Sequence, residues 1–222
     1  MERLLKSLGR WLEMIEFLKA LLMWLAVFIP TMAIGSSVSR GNPRKAALLI
    51  QVSILLLSLS LIWVVNGPKS SGLFLNLSYL PQALLVGFTV SLALNVIGSR
   101  NEDANELEFL PGGWRRYLLV LILAPLSEEL LHRGLVEGYL LSYGHFWSAV
   151  LFAALLFALP HWRAFEGNVL ERVSIVGGAF LLGTLAGYLF ALGGIVPAFT
   201  LHSSANLAGL VFLKLRERGR YK

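Results

Sequence analysis

The chain has 222 residues, 56% of them hydrophobic and only 14% charged, with a mean hydropathy of +0.70. A soluble domain carries about 25% charged residues to cover its surface, so a soluble globular fold is excluded. The net charge of +6 reads as topology signals and headgroup contacts, with no nucleic-acid partner expected, and the absence of cysteine removes disulfides and thiolate metal sites.

The fold class expected is all-α: a polytopic transmembrane helix bundle, one membrane-embedded domain over residues 1–222, placed in the cell membrane among lipid. Residues 2–18 alternate charged and apolar positions at helical spacing, which suits an interfacial helix leading into the first span. The apolar stretch then continues to about Gly35 with no small-residue cleavage site, so no removable signal is read. Apolar runs long enough to cross about 30 Å of hydrocarbon are predicted at 19–37, 46–65, 80–98, 117–142, 145–161, 173–192 and 195–213. That gives about seven spans, or eight helices with the interfacial one. Gly41-Asn42-Pro43, Gly67-Pro68 and Pro111-Gly112-Gly113 punctuate the connections, and Arg100 to Glu108 reads as an acidic solvated loop. In the sixth span Gly178, Gly183 and Gly187, with a Gly-x-x-x-Gly among them, predict close helix packing.

Orientation follows from the basic residues. With seven spans, Arg40, Arg44 and Lys45, then Arg100, Arg115 and Arg116, then Arg163 and Arg172, share one side with the basic tail Lys214, Arg216, Arg218, Arg220 and Lys222. Fewer lie opposite: Arg3, Lys6, Arg10, Lys19 and Lys69. The positive-inside rule then puts the C-terminus in the cytoplasm.

The fourth span carries Glu128-Glu129-Leu130-Leu131-His132-Arg133-Gly134 after a largely apolar run. A charge at mid-helix costs roughly 2.5–3.5 kcal/mol on insertion scales, so Glu128, Glu129 and Arg133 must face a protein interior with partners. Glu129 and Arg133 stand at i, i+4 with the acid first, the favourable order for an ion pair. Glu128 is turned about 100° away and stays available. Glu137, one turn beyond Arg133, extends the same face. Phe157 and His161 share a face near the end of the fifth span, where Pro160 breaks the helix and frees backbone to line a cavity. His202 and Asn206 share a face in the last span. A glutamate with a histidine can take a proton from water, and a second histidine with an asparagine can donate to an oxyanion.

The three blocks EELLHRG, FALPH and HSSAN resemble the EExxxR, FxxxH and HxxxN signatures of the CPBP group, the CAAX-protease and bacteriocin-processing family of intramembrane endopeptidases. The resemblance covers about residues 115–213 and includes the type II CAAX prenyl endopeptidases. It implies an endopeptidase acting on membrane-associated peptides or lipidated, prenylated CAAX-type tails. Glu128 would be the water-activating base assisted by His161, and His202 with Asn206 the oxyanion site. Glu129, Arg133 and Phe157 would support them. Many members of the group have an aromatic residue where this chain has His132.

Two histidines and a carboxylate are also a set that zinc takes, which makes His161, His202 and Glu128 the candidate ligands of a metal-dependent enzyme. No HExxH is present, and a glutamate-activated water needs no metal, so no cofactor is favoured. Two other functions were weighed. A non-enzymatic bacteriocin-immunity or scaffold relative would be marked by loss of a motif residue, and none is lost. A proton-coupled transporter predicts inverted repeats with broken helices in both halves, whereas the intramembrane charge is expected in the second half alone.

Overall fold

A computed structural model describes residues 2–65, 67, 71–98, 111–164 and 168–220. The acidic stretch Arg100–Glu108, together with Pro68 and Lys69, lies outside the described residues. Among the described residues all regular structure is helical, without strands. The helices are α1 (Glu2–Ser39), α2 (Pro43–Val65), α3 (Leu80–Gly98), α4 (residues 114–141), α5 (Phe146–Ala158), the short α6 (His161–Ala164), α7 (Val169–Gly193) and α8 (Ile195–Arg220). Among the described residues, six helices are long and apolar enough to cross a membrane. The six span candidates include every predicted span except the fourth. That one, α4, is continuous but too charged and too irregular to qualify on composition.

The N-terminal expectation needs correcting. Residues 2–18 and the first span are not two helices but one of 38 residues, close to 57 Å at 1.5 Å per residue. The span itself begins near Trp11, so Glu16 lies inside it. Glu16 is buried, accepts a hydrogen bond from the Tyr139 hydroxyl of α4, and pairs with Lys19 at 3.2 Å. Intramembrane charge is therefore not confined to the second half of the chain.

Helix α4 is the axis of the bundle. From Leu130 to Leu140 every residue is buried. On one side, Trp24 and Val27 of α1, Ile54 and Ile62 of α2, and Ala149 and Ala153 of α5 pack on Leu131, Leu135 and Tyr139. On the other side, Ala83 of α3, Ala186 and Phe190 of α7, and Ala198 and Leu201 of α8 form a second cluster. The outer faces carry exposed Leu, Val and Trp, among them Trp63, Val64 and Leu85, as lipid contact requires. Large apolar surface that would be a liability in water is here the solvent-matched face.

The seam between α3 and α8 depends on small residues. Ser91 Oγ donates to the Ala205 carbonyl at 2.8 Å, and Ser204 Oγ to the Ala83 carbonyl at 3.3 Å. A methyl group at Gly87 would collide with the Leu201 carbonyl oxygen and Ser204 Oγ. Backbone cannot yield as a flexible side chain does. Gly87→Ala is therefore expected to destabilise the protein by about 1–3 kcal/mol, the cost of overpacking, seen as a lower melting temperature in detergent. Between α7 and α8 the chain reverses on Gly194 alone, at φ 77°, a conformation that favours glycine. The Gly194 N–H donates to the Phe190 carbonyl at 2.7 Å.

Candidate active site

The site is built on two irregular stretches of α4. Both Leu119–Leu123 and Leu130–Glu137 adopt the wider i→i+5 hydrogen-bonded turn, an insertion found mostly at functional sites. The cause of the first is legible in the sequence. Pro125 has no N–H and its ring crowds the preceding turn, so the Val120 and Leu121 carbonyls lose their intrahelical donor. Helix α8 supplies replacements: Ser203 Oγ donates to the Leu121 carbonyl at 2.6 Å, and Asn206 Nδ2 to the Val120 carbonyl at 2.8 Å. The proline thus docks the HxxxN helix against the EExxxR helix.

The second wide turn reduces the rotation per residue, which keeps positions four apart close to one face. Glu129, Arg133 and Glu137 line up this way, all three fully buried. Arg133 Nε lies 3.1 Å from Glu129 Oε2 and 3.8 Å from Glu137 Oε2. Its Nη2 donates to the Gly183 carbonyl of α7 at 2.7 Å, and its guanidinium carbon sits 5.1 Å from the Phe157 ring centre. Neither Glu137 oxygen meets a hydrogen-bond donor among the described residues. A methyl group at Gly187 would come within 2.6 Å of Glu137 Oε2, so this glycine leaves the room the carboxylate occupies. Gly183 and Gly187 serve the close packing that their spacing predicts.

Phe157 is the hub of the three motifs. Its ring centre lies 5.1 Å from that of His161, 5.3 Å from His202 and 5.3 Å from His132. The break at Pro160 ends α5 at Ala158 and begins α6 at His161. The last carbonyls of a helix lack intrahelical donors, and the His161 Nδ1–H supplies one to the Phe157 carbonyl at 2.9 Å. That bond directs Nε2 of His161 outward as an acceptor. His202 is oriented in the same way: its Nδ1–H donates to Glu129 Oε1 at 2.8 Å. Its Nε2 is left facing Glu128 Oε2 at 3.9 Å. The Glu128 side chain is 22% exposed against 1% for Glu129, so the first glutamate is the accessible one. His161 is within electrostatic reach of both Glu128 and His202.

Glu128, His202 and Glu129 therefore meet directly, and Phe157 joins His161 to them. Among the described residues no hydrogen bond links His161 to Glu128. Asn206 also has a structural use, because one N–H of its amide is already given to Val120. Among the described residues no three His, Asp or Glu side chains converge closely enough to hold a metal ion. The Nδ1–H bonds of His161 and His202 are of the kind that orients a metal-bound imidazole, but the third ligand is missing from that geometry. Beside the site, Leu121, Phe199, Ser203 and Leu207 line a cavity of about 150 Å³ between α3, α4 and α8.

Sequence reasoning missed four contacts. Gln51 of α2 donates from Nε2 to Glu128 Oε1 at 2.9 Å. Ser127 Oγ in turn reaches Gln51 Oε1. Trp24 of α1 donates from Nε1 to His132 Nε2 at 3.1 Å, while His132 Nδ1–H donates to the Glu128 carbonyl at 2.7 Å. One signal was available: Gln51 is the lone carboxamide in an otherwise apolar run, and an intramembrane polar group warrants a partner. His132 was assigned to packing, and it does pack against Phe157, but it also ties α1 to the backbone of Glu128.

Residues 111–208 match the family model described as type II CAAX prenyl endopeptidase Rce1-like. Over that stretch, a little under half of its length, the chain is similar to that family. No curated protein matches the chain, and no solved structure does. All seven motif side chains, from Glu128 to Asn206, fall inside the Rce1-like region, whereas Gln51 and Trp24 lie outside it. The Rce1-like family is one of membrane endopeptidases of CAAX type, whose substrates are peptides or proteins in the membrane. Together with the six apolar helices it makes this a multi-pass membrane protein.

Proposed function

We propose that the chain is a glutamate-type intramembrane endopeptidase, with Glu128, His161, His202 and Asn206 as its catalytic residues. The observation that carries the reading is the pair of groups left open at the centre of the Rce1-like region. Glu128 Oε2 and His202 Nε2 face each other at 3.9 Å, too far for a direct hydrogen bond and close enough to hold one water or one carbonyl oxygen between them. In this mechanism Glu128 takes a proton from that water with help from His161. The water oxygen forms its bond to the scissile carbonyl carbon, and the carbonyl electron pair becomes the oxyanion. His202 in its imidazolium form donates to the oxyanion from Nε2, together with the free amide N–H of Asn206. The oxyanion then re-forms the carbonyl as the C–N bond breaks, and the proton held by Glu128 passes to the leaving amine nitrogen.

Glu129 and Arg133 position the machinery. The Glu129 carboxylate holds the His202 ring by its Nδ1–H, and Arg133 neutralises that carboxylate while anchoring on the Gly183 carbonyl. Phe157 separates the imidazoles and sets their planes. The mechanism above uses no metal. Substrates of this enzyme are membrane-associated peptides, prenylated tails among them, in the cell membrane with the C-terminus of the enzyme in the cytoplasm.

The test is cleavage of quenched fluorescent peptides, prenylated and unprenylated, by purified protein in detergent, with and without chelator. The wild type is expected to cleave in both conditions. His202→Ala should lower kcat by roughly 10²–10³-fold, the loss typical of an oxyanion donor. Chelator-sensitive cleavage restored by zinc would overturn the metal-free mechanism. Undiminished cleavage by His202→Ala would remove the oxyanion assignment, and no cleavage of any peptide would favour a non-enzymatic scaffold.

A further inference from the structure

Helix α2 lies outside the Rce1-like region, yet it delivers a side chain to the most exposed carboxylate of the site. Gln51 Nε2 donates to Glu128 Oε1 at 2.9 Å. The other end of the same amide, Oε1, accepts from Ser127 Oγ. Ser127 is fully buried, and its hydroxyl has a second acceptor within reach, the Ala124 carbonyl at 3.0 Å. One hydroxyl proton thus has two destinations. A carboxamide is a donor at one end and an acceptor at the other, so these groups form a short chain that ends on Glu128 Oε1.

When Glu128 is ionised, its Oε1 accepts from Gln51 Nε2, while the Ser127 hydroxyl points at Gln51 Oε1. The proton taken from the water arrives on Oε2, so Oε1 becomes the carbonyl oxygen and goes on accepting from Nε2. No partner has to move. We propose that Gln51, held by Ser127, is a positioning residue that holds Oε1 of Glu128 both before and after Glu128 accepts a proton. This rests on Glu128 being the base. With Oε1 occupied in both states, Oε2 is the oxygen directed at His202 and the water. The groups facing Glu128 are then His202 from α8, His161 from α6 and Gln51 from α2.

The experiment uses the full chain in detergent and compares Gln51→Leu, Ser127→Ala, Ser127→Thr, the Gln51→Leu/Ser127→Ala double variant and Glu128→Gln. Gln51→Leu is expected to lower kcat by roughly 10–100-fold, the equivalent of one hydrogen bond to a charged group, with KM within twofold and the melting temperature kept. Ser127→Ala should cost several-fold, and Ser127→Thr, which keeps the hydroxyl, should restore the rate. In the Gln51→Leu background Ser127→Ala should cost nothing more, since its effect runs through the amide. An equal Ser127→Ala cost in both backgrounds would overturn the proposal. So would a Gln51→Leu change confined to KM or melting temperature.

A readout independent of turnover is the carboxyl C=O stretching band of Glu128 in acid-minus-alkaline infrared difference spectra, identified by its loss in Glu128→Gln. The band is expected to shift in Gln51→Leu, and an unmoved band overturns the pairing. The two readings fail differently. If Glu128→Gln cleaves at the wild-type rate, the base assignment falls and this proposal with it. If Glu128→Gln is inactive while Gln51→Leu keeps the wild-type kcat, only the role of Gln51 falls.

Discussion

Glu128→Gln is expected to reduce kcat by about 10²–10⁴-fold, the usual contribution of a positioned general base, with KM little changed. The substitution is isosteric and adds no volume. Its contacts are one hydrogen bond to Gln51 and the 3.9 Å approach to His202. The melting temperature should therefore stay near that of the wild type. The neighbouring Glu129→Gln should behave differently, because it frees the His202 ring and leaves Arg133 with Glu137 alone, so both rate and stability fall. Initial-rate kinetics beside thermal unfolding of the two variants check this. Equal stability losses in both would mean that the two glutamates do the same structural work, against the division of labour their burial implies.

The largest stability effect is expected at Arg133. Its side chain is fully buried and contacts Glu129, Glu137, the Gly183 carbonyl and the Phe157 face. Removing one member of a buried ion pair leaves an uncompensated charge and costs about 3–5 kcal/mol, so Arg133→Met should unfold far below the wild type in detergent. The cause is the stranded carboxylates rather than lost volume, since methionine fills much of the same space. Adding Glu129→Gln and Glu137→Gln to Arg133→Met should then recover most of the melting temperature, because a neutral replacement of a whole buried ionic set is often tolerated. The triple variant would fold and yet lack the group that orients His202. A triple variant no more stable than the single one would show that Arg133 acts through its bond to Gly183 and its packing on Phe157.

What was legible in the sequence and what was not divides along physical lines. The helical, membrane-spanning class follows from hydrophobicity over about 20 residues, a local quantity. Helix α2 begins at Pro43 against an expected 46, and α3 runs over 80–98 as expected. The three motif blocks were visible because charge inside an apolar run is costly and therefore conspicuous. The break at Pro160 and the pairing of Glu129 with Arg133 are also local, set by a missing N–H and by helical spacing. The extension of the first span back to about Trp11 was not seen, because its charges look interfacial until Tyr139 is found beside Glu16.

The sequence by itself determined the class of protein, the Glu, His and Asn inventory of the site and the internal neutralisation of Glu129. The tertiary structure alone decided which groups meet. It set Glu128 Oε2 opposite His202 Nε2, placed Phe157 between the histidines, and brought Gln51 and Trp24 from helices with no motif to Glu128 and its backbone. It also gave Asn206 a second task on the Val120 carbonyl. The reason is geometric. Helical spacing relates residues three or four apart on one face, whereas a contact 77 positions apart, as between Gln51 and Glu128, depends on how α2 and α4 pack, and no local pattern encodes that.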